Sequence, residues 1–267
     1  MKTALTIGGS DSSGGAGIQA DLKTFSVLGV FGMSVITAIT AQNTLGVKDS
    51  LELPAGLVAK QIDTVAGDIQ VDATKSGMLS SISIIEAVED AIKRNKLAPY
   101  VCDPVMVAKS GAVLLKPEAK DAMVRRLFPL ATVVTPNRHE AATLTGVSGA
   151  EAIASVAAAK DAAKRIAGMG AAAVVVKGIV SGDQVVDMFF DGAEFYELAA
   201  KQQPAEKSHG SGCAFSAAIT AGLANRMKLL DAIDQAKQLV NMAIQYSDGQ
   251  GRGTAPVNVL AFAPKKK

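Results

Sequence analysis

The placing of apolar residues along the chain alternates short β-rich runs with segments of helical period. ALTIGG is followed by AGIQADLKTFSVLG, then by FGMSVITAIT, AGLVAKQIDTVAGDI and VDATKSG, a helix from about Ile82, and PYVCDP. A helix from about Pro117, TVVTP, two further helical stretches and AAAVVVKG complete the series. Strands interleaved with helical segments predict βαβ units and a mostly parallel sheet. Runs such as TVVT and AVVV lack polar alternation, as strands covered by helices on both faces do. VVDMFFDGAEFYEL departs from this pattern, because two β-like runs meet at Asp191-Gly192. That is a hairpin signal, and it predicts one short antiparallel pair between the last parallel strand and the HGSGC turn.

Length and composition narrow the picture. A chain of 267 residues, 49% hydrophobic, buries a substantial core, and residues 1–267 are expected to form a single α/β domain. Its two cysteines, Cys102 and Cys213, give no disulfide framework, so a reducing cytoplasm is the expected location. No window approaches the ~18 apolar residues of a membrane span. The net charge is +2, there is no Trp, and the basic cluster Lys265 to Lys267 sits at the extreme end. Neither nucleic acid nor a membrane is an expected partner.

Ligands of open α/β sheets collect outside the carboxyl ends of the strands. Gly8 and Gly9 follow the first strand, Gln42 and Asn43 the second, and Lys75 to Met78 the third. Asp103, Asn137 and Lys177 follow the next three. Polar or glycine residues at almost every strand exit predict one shared rim and a site upon it.

Individual motifs are weaker. Gly15 to Ala20 match the dinucleotide fingerprint G-x-G-x-x-[GA] formally, but Ser10 to Gly14 separate the glycines from the strand and VITAITAQNT carries no ribose-binding acid. The loop reads equally as a flexible wall beside a substrate, with Asp21 on the following helix either turned toward it or exposed. No G-x-x-x-x-G-K-[ST] occurs, so phosphate would need another cradle. HGSGC offers one: Gly210 and Gly212 free the backbone, and the helix that follows presents amide hydrogens without intrahelical partners. The same field would favour thiolate at Cys213, against the plain alternative of a buried structural cysteine. Lys177 is either a mobile charge for phosphate or a strand-end lysine in solvent.

Asn137 and Glu140, three apart in TPNRHEA, read as an N-cap with its capping-box partner or as part of a Mg²⁺ site facing nucleotide phosphates. Asp103 in CDPVM is a second candidate for that ion, or a turn-forming Asp-Pro. Gln42 donates and accepts at once, which suits the edge of a nitrogen heterocycle or a loop backbone. His139 and His209 have no metal-ligand spacing with the cysteines or with each other, so zinc is not expected.

Taken in order, GGSDSSGGAGIQADLKTFSVLG, VITAITAQNTLGV, TKSGML, DPVMVAKSG, TPNRHEA and HGSGCAFSAAI resemble the hydroxymethylpyrimidine/phosphomethylpyrimidine kinases of thiamin biosynthesis. The resemblance runs from about Ala4 to Val259. It implies a ribokinase-like three-layer α/β/α sandwich and phosphorylation, with ATP and Mg²⁺, of 4-amino-5-hydroxymethyl-2-methylpyrimidine and then of its monophosphate. The family's pyrimidine contacts carry over onto Gly9, Asp21, Gln42, Met78 and Val105. Its anion hole carries over onto Gly210, Ser211, Gly212 and Cys213, with Cys213 at the catalytic position. Asn137 and Glu140 match its metal and phosphate element, and Lys177 its nucleotide-side lysine. A homodimer is implied as well.

The family more often reads DPSGGAG, GTGC, TPNLPEA and KGG, where this chain has Ser12, Ser211, Arg138-His139 and Ile179. None of these departures removes a functional group, although Arg138-His139 bears on the phosphate end. Pyridoxal kinases of the same branch carry a similar Gly-x-Gly-Cys loop and remain the nearest rival, with AQNT pointing to the pyrimidine side. A nicotinamide oxidoreductase and a non-catalytic pyrimidine-binding regulator are the rivals from other classes.

Overall fold

The computed structural model describes residues 1–108 and 111–263, so the terminal Lys265 to Lys267 cluster and part of DPVMVAKSG lie outside the described residues. The chain opens with β1 (Thr3–Asp11), α1 (Gly17–Val27), β2 (Phe31–Asn43), β3 (Gly46–Glu52) and α2 (Ala55–Ala66). It continues through β4 (Ala73–Ser76), α3 (Ile82–Asn95), β5 (Tyr100–Cys102), α4 (Ala119–Arg126) and β6 (Val133–Val134). Helices α5 (Arg138–Thr145) and α6 (Val156–Ala167) precede the meander β7 (Val174–Ser181), β8 (Gln184–Phe190) and β9 (Phe195–Lys201), and α7 (Ser211–Ala224) and α8 (Leu229–Gln245) follow it. Among the described residues no helix is long and apolar enough to cross a membrane.

The strands form one nine-stranded sheet in the order β3-β2-β1-β4-β5-β6-β7-β8-β9. From β2 to β7 neighbouring strands are parallel, and antiparallel pairs close both ends. The expected β8–β9 pair is present. The pairing of β2 with β3 was not expected from the sequence, because GVKDSLE has no apolar face: six of its seven positions are polar, glycine or exposed, as suits an edge strand.

Helices cover both faces. Val174 and Val176 of β7 pack toward α2 to α6, while Val175 points the other way with Val101, Val133, Phe215 and Ile219 toward α7 and α8. Alternate residues of one strand therefore enter two cores, which is why these runs show no polar alternation. Helix α7 is buried almost all round and made largely of small residues, so its neighbours come close. At Gly222 a Cβ would stand 2.7 Å from the Cβ of Ala232 in α8.

Three irregularities interrupt the ladders, and all fall on residues of one rim. Register shifts lie between Gly8 and Ser10, between Ala41 and Gln42, and between Val176 and Ile179. A bulge re-aims the side chains beside it. At the third, Gly178 takes φ +87° and donates its N–H to Asp187 Oδ1 at 2.8 Å.

The two ends of the chain meet at this rim. His209 Nε2 lies 2.9 Å from Asp11 Oδ2, and Asp11 also accepts from Ser13 and from the Ala16 amide. Burial pushes the Asp11 carboxyl up, but these hydrogen bonds, His209's first, outweigh it and hold the group at about 2. Gly210, at φ +80°, abuts Gly15 so closely that a Cβ would overlap the Gly15 carbonyl oxygen.

Two outcomes follow for stability. Gly222→Ala gains helix propensity worth about 1 kcal/mol, yet overpacking against Ala232 costs about 1–3 kcal/mol, so its thermal midpoint falls, and adding Ala232→Gly recovers part of the loss. Because the folded carboxyl is depressed, the stability from Asp11 is complete above its ordinary value of 3.8 and is lost as pH falls through about 2. In urea unfolding across pH, wild type exceeds Asp11→Asn by about 2 kcal/mol at neutral pH, and the gap closes toward pH ~2. A gap independent of pH would refute the electrostatic part of this contact.

Candidate functional site

At the carboxyl ends of the parallel strands lies a cleft of about 730 Å³. The proposed ring contacts Gly9, Asp21, Gln42, Met78 and Val105 line it, as do the proposed phosphate and metal contacts Asp103, Asn137, Glu140 and Lys177, whereas Asn43 and Ser76 of the strand exits do not. Gly210, Ser211, Gly212 and Cys213 line it too. Residues from seven strands and loops reach one wall because the sheet's parallel section delivers each strand's exit to the same edge.

Helix α7 opens onto this cleft. Its N-cap is Gly210, without a side-chain cap, and among the described residues the Gly212 and Cys213 amides have no backbone acceptor. Such amides with the positive end of a buried helix make an anion site. Lys177 adds charge to it: a Cβ on Gly212 would stand 3.7 Å from Lys177 Nζ, which bonds Asp103 Oδ1 at 3.1 Å and sits 5.6 Å from the centre of the Phe215 ring. The backbone aligns Lys177 with Asn137, its N–H donating to the Pro136 carbonyl at 2.9 Å.

The Cys213 thiol differs from the expectation that a helix start would ionise it. Burial pushes it up to about 12; Lys75 pulls it down, while Asp21 and Asp103 raise it further. Desolvation outweighs the helix field because the half-buried sulfur sits in the cleft wall with two carboxylates nearby. The free protein thus holds Cys213 as a thiol at neutral pH, against the thiolate that the helix start favoured.

Asn137 and Glu140 form a complete capping box. Asn137 Oδ1 accepts from the His139 and Glu140 amides at 2.8 and 3.0 Å, and Glu140 Oε2 accepts from the Asn137 amide at 2.8 Å. The capping reading therefore holds, and the box also fixes Glu140 in the wall of the cleft. Burial raises its carboxyl to about 8, with Lys177 opposing and Asp103 adding to the rise. Asp103 is pinned by Thr135, Ser216 and Lys177. Two buried carboxyl groups that line one cleft and feel each other's charge fit a small divalent cation that takes one or two carboxylates and completes its shell with phosphate and water. Among the described residues no group of three or more His, Cys, Asp or Glu is placed to hold a metal by protein alone.

Asp21 reaches the cleft but is not free. Thr6 Oγ1 donates to it at 2.6 Å and Lys75 Nζ at 2.8 Å, and the Lys75 and Asp21 side chains are 0% and 3% exposed. Burial works against the Lys75 charge, but the Asp21 carboxylate first, with Asp103 behind it, outweighs that and holds the ammonium above its ordinary value. Lys75 was noted in the sequence only as a strand-exit residue. A lysine in a four-residue strand buried throughout must be paired, and that was the available signal. Lys237 of α8, bonded to Asp187 Oδ2 at 2.9 Å, also lines the cleft and left no sequence signal, since its partner lies fifty residues away.

The description "Phosphomethylpyrimidine kinase" names the family model that matches residues 11–258. A Rhizobium meliloti hydroxymethylpyrimidine/phosphomethylpyrimidine kinase is 50% identical over 94% of this chain and 94% of its own. A Clostridium difficile phosphomethylpyrimidine kinase structure is 42% identical, with a TM-score of 0.79 over 91% of this chain and 100% of that one. The ADP complex of a Bacillus subtilis pyridoxal kinase is 39% identical, with a TM-score of 0.90 over 98% of both chains. The sheet of the present chain is the ribokinase-like one that the resemblance implied, with antiparallel strands at each end of a parallel centre. With a match that spans nearly the whole chain, this protein belongs to the phosphomethylpyrimidine kinase family.

Proposed function

We propose that this protein transfers the terminal phosphoryl group of ATP to the hydroxymethyl oxygen of 4-amino-5-hydroxymethyl-2-methylpyrimidine, and then to the monophosphate so formed. The observation that carries the reading is one cleft lined at once by the open amides of α7, Lys177 with its partner Asp103, Glu140 and Gln42. In each transfer the acceptor oxygen bonds the terminal phosphorus as the bond to ADP breaks. A loose transition state asks chiefly for alignment and for stabilisation of charge on the transferring group. The Gly212 and Cys213 amides with Lys177 supply that stabilisation, while Gln42, Met78, Val105 and Gly9 hold the ring.

Cys213 enters as a protonated thiol whose sulfur receives the acceptor hydroxyl and sets its direction. Since little bonding to the acceptor develops before the bond to ADP has loosened, the hydroxyl proton is lost late, to an oxygen of the transferred phosphoryl group and from there to water, and a strong base is not needed. The monophosphate acceptor has no such proton to manage. Asp103 and Glu140 would hold Mg²⁺, which when bound neutralises charge on the nucleotide phosphates.

The enzyme is read as cytoplasmic, with both cysteines unpaired, and as a homodimer. Exposed Phe31, Ile39 and Leu51 along the β2–β3 edge support the latter. Pyridoxal phosphorylation is the second reading, favoured by the close likeness to the Bacillus subtilis enzyme's structure.

An ADP-release assay with hydroxymethylpyrimidine, its monophosphate, pyridoxal and no acceptor tests the reading. Turnover is expected to be greatest with the two pyrimidines. Greater turnover with pyridoxal would transfer the assignment to the second reading, and no ADP with any acceptor would leave a ligand-binding protein. Cys213→Ala is expected to lower kcat with the alcohol about 10–100-fold, below the range of a full general base, while leaving ATP affinity unchanged and the second step less affected. Wild-type turnover of the alcohol by that variant would remove Cys213 from the reaction.

A further inference from the structure

Gln42 is held in an unusual way, and the hold falls on one end of it. Its backbone is gripped by a single hydroxyl: Ser12 Oγ accepts from the Gln42 N–H and donates to the Gln42 carbonyl, both at 2.8 Å. Position and backbone direction are thus fixed, and the remaining freedom is which way the side-chain amide faces. Thr40, two residues earlier in β2 and buried, decides that. Its Oγ1 lies 2.8 Å from the Ser10 carbonyl oxygen and 3.1 Å from the Gln42 atom placed as Oε1.

A hydroxyl has one proton, and a carbonyl oxygen can only accept. The shorter contact, to Ser10, therefore takes the Thr40 proton. Toward Gln42 the hydroxyl has only lone pairs left, and an oxygen facing it there would be repelled. Amide oxygen and nitrogen are assigned from such networks, and this one turns Nε2 toward Thr40 and presents Oε1 to the cleft.

We infer that Thr40 is a positioning residue for substrate choice: by fixing the polarity of the Gln42 amide it selects an acceptor whose ring edge carries an amino group. This rests on the reading of Gln42 as a ring contact. Beside the hydroxymethyl carbon, the aminopyrimidine bears an N–H donor followed by a ring nitrogen acceptor, which complements an amide in one orientation. Pyridoxal bears an aldehyde oxygen there, followed by the phenolic oxygen, and calls for the opposite orientation. A protein that holds the amide one way discriminates between the two through Gln42, although Thr40 itself also lines the cleft.

The test compares wild type, Thr40→Val and Thr40→Ser. A hydrogen-bond bias of ordinary net size tilts the two orientations about fivefold, so in Thr40→Val the ratio of kcat/KM for the aminopyrimidine over pyridoxal falls about fivefold. Most of the change lies in KM for the acceptors, KM for ATP stays as in wild type, and Thr40→Ser restores the ratio. Independently of any substrate, ¹⁵N-resolved spectra of the free protein show a Gln42 side-chain N–H protected from exchange in wild type and Thr40→Ser and unprotected in Thr40→Val. If wild type turns over the aminopyrimidine but the ratio is unchanged in Thr40→Val, or the Gln42 N–H protection is the same in all three, the inference fails alone. If wild type does not turn over the aminopyrimidine at all, the reading beneath it fails and takes the inference with it.

Discussion

The site depends on the contact between two glycine loops from opposite ends of the chain. Gly210 packs on Gly15 with no room for a Cβ, and Asp11 with His209 ties the same loops by a buried hydrogen bond. This contact sets where α7 begins and aims its open amides into the cleft rather than along the sheet. The rest is carried by a helix of small residues that can lie close against α1, α8 and the sheet, since each added methylene would push that first turn away.

Around this cradle the protein distributes charge in buried pairs. Lys75 with Asp21, Lys177 with Asp103 and Lys237 with Asp187 all border the cleft. Removing one partner of such a pair leaves an unpaired buried charge, typically at a cost of about 3–5 kcal/mol, so the pairs hold their geometry stiffly. They also leave the wall nearly neutral before ligands arrive. A nucleotide brings its own charge and cation, and the cradle answers with dipoles that need no reorganisation.

The protonated state of Cys213 belongs to the same economy of charge. A thiolate beside Asp21 and Asp103 would be a third negative group in one wall, and Lys75 is already engaged with the first. Phosphoryl transfer tolerates this because its transition state places the developing charge on the transferring group, where the amides lie, more than on the attacking oxygen. The sulfur's place in the wall then matters more than its basicity.

The order of strands and helices was legible from local pattern, because residues covered on both faces and helical stripes are written into neighbouring positions. So were the strand exits and the rim they share, since a parallel sheet sends every exit to one edge. The capping box at Asn137 and Glu140 spans three residues and could be read directly. Edge strand β3 could not, because a strand exposed on its edge needs no apolar pattern and is defined by its partner. The pairing of Lys75 with Asp21, of Lys237 with Asp187, and of Asp11 with His209 joins positions far apart in the chain. The ionisation of Cys213 went against its local setting because desolvation is a property of everything packed around an atom. Sequence fixes what short-range sterics and periodicity decide; the charges and hydrogen-bond polarities of the site were decided only when distant segments closed over them.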